Sequence, residues 1–169
     1  MISYLKIGGI ELKELIQEYT LGYEMLRKAI EGLNEDEFRY KPAADKWSIH
    51  QILIHVTDAE ILATSRLKKV LAEKEPILIS FDQNAWTNNL EYDLLDREQY
   101  LLLFKLLRSS MQTILDNLTN EQCERVGVYV DQERFTFKQL MEFRVQHVRG
   151  HLAQIERVKK AYQKNQVTH

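Results

Sequence analysis

Apolar residues recur at steps of three and four along four segments of the chain, a spacing that places them on one face of a helix. The first segment extends from about residue 11 to about residue 33. Gly22 falls inside it, where a glycine either weakens the helix or marks a close contact with a neighbouring helix. The pattern predicts a long first helix with an inner stripe of Leu12, Leu15, Ile16, Tyr19, Tyr23, Leu26 and Ile30.

The second and third predicted helices begin at recognisable N-terminal caps. Ser48 and Gln51 have the spacing of a capping box, ahead of a helix that continues to about residue 73. Asp96 is a good cap for a third helix that ends near residue 118, and Glu98 stands in its first turn, where the helix dipole favours an acid. Residues 34–46 and 74–95 are polar and are predicted to be irregular connections.

A short β-hairpin is predicted before the fourth helix, because Val126, Val128 and Val130 alternate with other residues ahead of a polar turn. Thr136 and Gln139 repeat the capping-box spacing at the start of the fourth helix, which ends near residue 164. Four helices of similar length predict an all-α four-helix bundle in a single domain over residues 1–169. The connection of roughly 22 residues between helices two and three can cross the bundle at about 3.3 Å per residue, which permits an up-down-down-up order.

The composition disfavours several classes of protein. The 169 residues carry a formal net charge of −2, so no basic surplus exists to neutralise phosphates, and a nucleic-acid binder is disfavoured. Cys123 is the single cysteine, which excludes an internal disulfide and zinc sites of the Cys-x-x-Cys kind. No apolar run has the length of a membrane span or the form of a signal peptide. We therefore expect a cytoplasmic protein without a membrane partner.

Two histidines in the fourth predicted helix are spaced for metal binding. His147 and His151 are four residues apart, so their side chains leave one face of the helix about one turn apart and can chelate one divalent ion. The residue after His147 is Val148 rather than glutamate, which excludes the His-Glu-x-x-His motif of metalloproteases. A third ligand must come from elsewhere.

His55 is the best candidate for that third ligand. It lies in the apolar stripe of the second helix, about 10 Å from the start of that helix at 1.5 Å per residue. If the second and fourth helices are antiparallel, His55 and His151 lie at the same distance from the shared end of the bundle to within about two helical turns. Three neutral histidines and one open position are the composition of a catalytic zinc-type site, and nickel, cobalt and iron(II) accept the same ligands. Histidines at this spacing also occur without a metal, so that interpretation stays open.

Three further side chains lie one helical turn from these histidines. Asp58 either accepts a hydrogen bond from a ligand histidine, or is a solvated surface carboxylate or a simple partner within its own helix. Arg144 either holds an anionic group of a substrate or forms a salt bridge with a neighbouring carboxylate. Gln154, one turn after His151, either makes a hydrogen bond to a ligand histidine or is exposed to solvent.

The remaining candidates for chemistry are weaker. His50 stands beside the start of the second helix and is expected to be exposed. His169 is the last residue and is expected to be a flexible end. Cys123 has no activating partner in the sequence pattern, so a buried or unreactive thiol is favoured over a nucleophile.

Three segments of the chain carry a family resemblance. The first, residues 46–60, begins Lys-Trp-Ser-Ile and contains His55; the second, residues 81–86, reads Phe-Asp-Gln-Asn-Ala-Trp; the third, residues 147–152, contains the histidine pair. In order and spacing they resemble the DinB-like superfamily, specifically its YfiT-like branch. The likeness extends from about residue 15 to about residue 158.

The resemblance implies a particular architecture and site. Members of this superfamily are up-down-down-up four-helix bundles, frequently dimeric, that hold a divalent metal with three histidines. All three ligand positions match here, as His55, His147 and His151. Zinc or nickel is the expected metal, and a small molecule is the expected substrate.

The superfamily is functionally mixed, so three functions stay open. Some members are similar to transferases that join bacillithiol, mycothiol or glutathione to small electrophiles, and there the metal would hold the low-molecular-weight thiol as a thiolate. Others are described as metal-dependent hydrolases, which would use a metal-bound hydroxide. A non-enzymatic metal-binding domain of the stress response is the third. We rank a thiol S-transferase first and a hydrolase close behind it.

Overall fold

The computed structural model describes residues 11–167, and all four predicted long helices are present there. They are α1 (Leu12–Ala29), α3 (Ile49–Ala72), α5 (Arg97–Asp116) and α7 (Phe137–Val167). The shorter elements are α2 (Glu35–Arg39), β1 (Ile77–Leu78), α4 (Gln83–Asn89), a 3-10 helix (Tyr92–Leu94), α6 (Asn120–Cys123), β2 (Val126–Tyr129) and β3 (Arg134–Thr136). The flexible end predicted at His169 and the first ten residues lie outside the described part of the chain.

The three predicted caps are confirmed. Ser48 accepts from the backbone N–H of Gln51, whose side chain accepts from the N–H of Ser48 at the start of α3. Asp96 caps α5 with its side chain, and Thr136 and Gln139 make the same reciprocal pair of hydrogen bonds ahead of α7. These contacts satisfy N–H groups that a helix leaves free at its first turn.

Contacts between the long helices confirm the up-down-down-up order. Thr57 of α3 contacts Tyr100 of α5, and Lys68 further along α3 contacts Ser110 further along α5, so these two helices are parallel. The last turn of α1 meets the first turn of α5, so α1 is antiparallel to both. The start of α3 packs against the second half of α7, which makes that pair antiparallel as well.

The two connections predicted to be irregular contain regular structure. Asn34 starts α2 with a capping box and Asp82 caps α4. The predicted hairpin is confirmed, but it belongs to a three-stranded sheet in which β1 pairs in parallel with β2, and β2 pairs antiparallel with β3. β1 is only two residues long, too short for an alternating pattern to reveal it.

Two clusters of buried apolar side chains fill opposite ends of the bundle. The first cluster joins the end of α1 and the starts of α3 and α5 to the middle and second half of α7. The second joins the start of α1 and the ends of α3 and α5 to the first half of α7. Between them α3 and α5 bury a band of polar side chains, which are His55, Thr57, Asp58, Glu60, Thr64 and Arg108. No helix within residues 11–167 combines the length and apolar character that crossing a membrane requires.

Gly22 marks a close contact between helices, one of the two interpretations of its place in α1. A Cβ atom at this position would overlap the guanidinium group of Arg108. We expect Gly22→Ala to lower the free energy of unfolding by about 1–3 kcal/mol, because forcing the guanidinium aside outweighs the gain in helix propensity. Urea denaturation measures this difference.

Gly150 supplies the matched control, since it also lies inside a long helix but is exposed, with open space where a Cβ atom would be. Gly150→Ala should raise the free energy of unfolding by about 0.5–1 kcal/mol through helix propensity alone. Equal effects of the two substitutions would contradict the role assigned to Gly22.

Candidate metal centre

Three histidine side chains meet in the interior of the bundle. His55 comes from the second turn of α3, and His147 and His151 come from consecutive turns of α7. The Nε2 atom of His147 lies 3.2 Å from the Nε2 atom of His55 and 3.2 Å from that of His151. One ring nitrogen from each of the three lies within 4.8 Å of the others. The convergence that antiparallel packing of α3 and α7 predicted is therefore present.

The spacing of these nitrogen atoms fits a shared metal ion. Two nitrogen ligands that each stand at about 2.0–2.1 Å from one ion are about 2.8–3.4 Å apart, for bond angles between a right angle and a tetrahedral one. The two separations of 3.2 Å fall in that range. The donor set of three imidazoles is also one that zinc, nickel and similar divalent metals accept.

Burial keeps these rings uncharged at neutral pH. Loss of contact with water lowers the pKa of His55 to about 3 and the pKa of His151 to about 4, and it holds the pKa of His147 well below its usual range. The guanidinium of Arg144 lowers the pKa of all three further. A neutral imidazole has one nitrogen with a free lone pair, which is the form that binds metals.

The second ring nitrogen of each histidine has a different environment. Nδ1 of His151 lies 2.9 Å from Oε1 of Gln154, so the hydrogen-bonded interpretation of Gln154 fits the structure. Nδ1 of His147 accepts from Nη2 of Arg144 at 2.8 Å. Nδ1 of His55 is buried without a hydrogen-bond partner.

Asp58 is placed differently from all three interpretations of the sequence. It is buried rather than solvated, and its carboxylate accepts from the hydroxyl of Tyr92 at 2.5 Å instead of from a ligand histidine. Burial raises the pKa of this carboxyl group. The reason is the direction of Asp58 on α3, because this side chain faces Tyr92 of the 3-10 helix and lies near Tyr100 of α5, rather than facing α7.

The expectation that His50 is exposed is wrong. His50 is buried, and its Nε2 atom lies 2.9 Å from the backbone carbonyl oxygen of Tyr92. The connection between α3 and α5 folds over the start of α3, which the sequence pattern did not reveal. Cys123 is a buried free thiol as expected, and burial raises its pKa.

Aromatic side chains pack against the histidines. The indole of Trp47 lies with its centroid 4.7 Å from that of His55 and stacks on His151 at 6.4 Å. Phe81 stacks on His55 at 6.3 Å and contacts Trp86 edge to face. From the sequence, these residues were recognised only as part of the family resemblance. Trp47 and Trp86, the two tryptophans of the chain, could have been predicted to lie near the site.

A buried ionic cluster lies about one turn from the histidines and joins Glu60 of α3 and Arg144 of α7 to side chains of α5 and α1. Oε2 of Glu60 is 3.0 Å from Nη2 of Arg108 and 3.8 Å from Nε of Arg144, and Oε1 of Glu60 accepts from the hydroxyl of Tyr19 at 2.7 Å. The salt bridge expected for Arg144 is thus present as a longer contact with Glu60. Burial alone would raise the pKa of Glu60, but the two guanidinium groups outweigh it and hold the pKa below its usual value.

This cluster was not predicted from the sequence, although the position of Arg108 indicates it. Arg108 stands four residues after Phe104 and three before Met111, both of which are buried in the inner stripe of α5. A charged residue in such a stripe needs a buried partner of opposite charge. Glu60 of α3 is that partner.

A cavity of about 520 Å³ opens beside the histidines and is lined by side chains from α3, the following connection, the hairpin and α7. His55 and His147 form part of its wall, together with Arg66 and Arg144. The aromatic part of the wall consists of Phe81, Tyr129, Phe135 and Phe143. The volume is that of a pocket for a small molecule.

Comparison with known proteins identifies the family. Residues 18–155 match the family model of the DinB superfamily. The chain belongs to the DinB superfamily. Its resemblance to the YfiT-like branch is confirmed by relatives in bacteria and by a solved structure.

Two relatives of this DinB-superfamily chain have similar lengths. "Putative metal-dependent hydrolase BH0277" of Halalkalibacterium halodurans is 25% identical over 146 residues, which cover 86% of this chain and 85% of that protein. "Putative metal-dependent hydrolase YfiT" of Bacillus subtilis is 24% identical over 131 residues, which cover 77% of this chain and 74% of that protein.

The structure of YfiT from Bacillus subtilis has the same fold. It is described as a probable metal-dependent hydrolase with an unusual four-helix bundle topology. The two structures agree with a TM-score of 0.84 at 22% sequence identity, over 93% of this chain and 92% of the other. At that identity the likeness concerns the fold.

Proposed function

We propose that His55, His147 and His151 hold one divalent metal ion, zinc or nickel, and that the chain is a metal-dependent enzyme acting on a small molecule. The observation that carries this proposal is the meeting of three neutral imidazoles, two pairs of Nε2 atoms 3.2 Å apart, at the wall of a cavity. Without a metal, three buried rings would have to satisfy three inward-facing Nε2 atoms among themselves, and Nδ1 of His55 has no partner at all. The names of the relatives as metal-dependent hydrolases support it.

The charge around the site favours an anionic reactant. A bound divalent metal acts as a Lewis acid and lowers the pKa of a thiol or water that joins it. The neutral histidines contribute no charge, and the buried cluster of Glu60, Arg108 and Arg144 carries one positive charge in excess. An anion in the cavity therefore gains from both the metal and the guanidinium groups.

Thiol transfer is the reaction class that we propose first. Among the described residues that line the cavity, the carboxylates are Asp131 and Glu133, both on the exposed hairpin. Glu60 is committed to its ion pairs and Asp58 to Tyr92. No carboxylate therefore stands against the histidines as a general base, so a hydrolase would depend on the metal alone to activate water. A metal deprotonates a bound thiol more completely than bound water, and the resulting thiolate can attack a small electrophile. Hydrolysis is the second candidate, and the names of the relatives favour it.

Metal content and single substitutions test the metal site. Wild-type protein should contain about one equivalent of divalent metal by elemental analysis, and His55→Ala, His147→Ala and His151→Ala should each lose it. His50→Gln is the control, because His50 is an equally buried histidine that lies outside the cluster. Wild-type protein that neither contains nor takes up a metal would refute the proposal.

The reaction class is tested with metal-loaded protein and two panels of substrates. A thiol transferase conjugates a low-molecular-weight thiol to electrophiles and turns over no ester or amide in its absence. A hydrolase cleaves an ester or amide without any thiol. Inactivity on both panels by a protein that holds metal would leave the third function, a metal-binding domain of the stress response.

Two further predictions rest on the sequence and the resemblance. They are the assembly of the chain as a homodimer and its location in the cytoplasm. Size-exclusion chromatography with light scattering tests the first of these.

A further inference from the structure

Arg144 and His147 make a hydrogen bond that conflicts with metal binding. Nη2 of Arg144 donates to Nδ1 of His147 at 2.8 Å. A guanidinium group has only donors, so Nδ1 must carry the lone pair and the ring proton of the neutral His147 must be on Nε2. Nε2 is the atom that faces His55 and His151 at 3.2 Å. In this state the nitrogen aimed at the site is protonated and cannot bind a metal.

His151, one turn later on α7, has the opposite arrangement. Its Nδ1 atom lies 2.9 Å from Oε1 of Gln154, an oxygen that can only accept, so the ring proton is on Nδ1. The lone pair of His151 is then on Nε2, facing the other histidines. A hydrogen-bond acceptor on the outer nitrogen is the usual partner of a metal-binding histidine. At His147 a donor, Arg144, stands in that place, and Nδ1 of His55 has no hydrogen-bond partner.

We propose that a metal bound by His147 displaces Arg144, and that the released guanidinium binds an anionic group of the substrate in the adjoining cavity. This inference rests on the proposed metal site. A metal at Nε2 requires the ring proton of His147 to be on Nδ1, where it would point at an N–H of Arg144. The exchange moves one proton between the two nitrogen atoms and leaves the charge of the ring unchanged. Two donors cannot share the contact, so Arg144 leaves it.

The carboxylate of Glu60 already accepts from two other donors, so its remaining acceptor sites are fewer than the five N–H groups of the released guanidinium. Glu60 already accepts from Arg108 at 3.0 Å and from Tyr19 at 2.7 Å. Nε of Arg144 is 3.8 Å from Glu60 and is buried without a hydrogen-bond partner. Arg144 also lines the cavity. An anion there would supply the acceptors that the guanidinium lacks, with the paired geometry that carboxylates offer to arginine.

The rest of the cavity wall indicates the kind of molecule that carries this anion. Phe81, Phe135 and Phe143 line the cavity with aromatic side chains. Arg66 is a second cation in the wall, but it donates to the carbonyl oxygen of Ile79 at 2.9 Å and is therefore engaged. The wall thus fits a small carboxylate, or an anion of similar shape, that is attached to an aromatic or apolar body.

The displacement couples the two ligands. If the metal frees Arg144 for the anion, the anion must in turn strengthen metal binding by the same factor, because linkage between two binding sites is reciprocal. Factors of about 5–150 are typical of such coupling. We expect the factor to depend on Arg144 and not on Arg66.

The position of the ring proton is the direct test. Nitrogen-15 NMR of the full-length protein, labelled at histidine, distinguishes the two neutral forms of each ring. In the metal-free protein we expect the proton of His147 on Nε2 and that of His151 on Nδ1; after zinc is added, His147 should also carry its proton on Nδ1. A metal-free His147 with the proton already on Nδ1 would overturn the proposal.

Zinc affinity, measured by competition with a chelator in the presence and absence of benzoate, tests the coupling. In wild-type protein benzoate should tighten zinc binding at least about fivefold. In Arg144→Met, zinc should bind more tightly than in wild type when benzoate is absent, and benzoate should change its affinity less than about twofold. Removal of Arg144 also removes an excess buried positive charge, so this variant should fold.

Arg66→Met is the matched control, because it removes a cavity cation that has no contact with a histidine. It should retain the effect of benzoate on zinc affinity. Zinc binding that is unchanged in Arg144→Met, or an effect of benzoate that survives there, would overturn the inference while leaving the metal site intact. Absence of zinc binding by wild type would instead refute the proposed function itself.

Discussion

Replacing Glu60 with glutamine will lower the free energy of unfolding by about 3–5 kcal/mol, although the two side chains have the same shape. Glu60 is fully buried, and its carboxylate is the counter-ion of Arg108 at 3.0 Å and of Arg144 at 3.8 Å. An amide in its place leaves two guanidinium groups in the interior without a negative charge. Urea denaturation of the metal-free protein measures the loss.

Two variants show whether the loss comes from the uncompensated charge. Glu98→Gln removes a carboxylate that pairs with Arg27 at the surface, where both side chains are about half exposed, and it should cost less than about 1 kcal/mol. The double substitution Glu60→Leu with Arg108→Met removes the pair together and should be more stable than Glu60→Gln alone, since a buried ion pair can be replaced by apolar residues at little cost. A Glu60→Gln variant within about 1 kcal/mol of wild type would contradict this account.

Metal-free protein will lose stability steeply as the pH falls below about 6.5. Burial lowers the pKa of His55 to about 3 and that of His151 to about 4, whereas both titrate near 6.5 in the unfolded chain. Between these values protons bind the unfolded chain and not the folded one, so the free energy of unfolding decreases as the pH decreases. Each of the two histidines should account for about 2 kcal/mol between pH 7 and pH 5.

The size of this pH effect is checked by urea denaturation with a chelator present at pH 7 and pH 5. His55→Leu removes one of the titrating groups and should reduce the difference between the two pH values by about 2 kcal/mol. Asp58 acts in the opposite direction at lower pH, because burial raises its pKa. Stability that stays constant from pH 7 to pH 5 would show that the histidines are hydrated or already protonated.

Local signals predicted the helices well. The caps at Ser48, Asp96 and Thr136 start their helices as expected, because a cap is a contact between residues two or three positions apart. The hairpin was predicted for the same reason. Strand β1 and the burial of His50 were missed, since both depend on partners some 40 or more residues away along the chain.

The candidate site was predicted only in part. The spacing of His147 and His151 placed both on one face of a helix. The position of His55 along the bundle, estimated from the rise per residue, added it as the third ligand. No pattern in the sequence related Glu60 to Arg108, or Trp47 to His151, because each pair comes from two different elements. The direction of Asp58 away from the histidines likewise follows from which neighbours surround α3.

The sequence by itself determined where the long helices begin and, for antiparallel second and fourth helices, that His55 and His151 agree in position along the bundle to within about two turns. These properties depend on residues a few positions apart, whose geometry the helix repeat sets. Only the tertiary structure decided what surrounds the histidines: the guanidinium of Arg144 on His147, the buried Glu60 beside it, and the aromatic cavity. Those contacts join distant parts of the chain, and the packing of whole helices against one another brings them together.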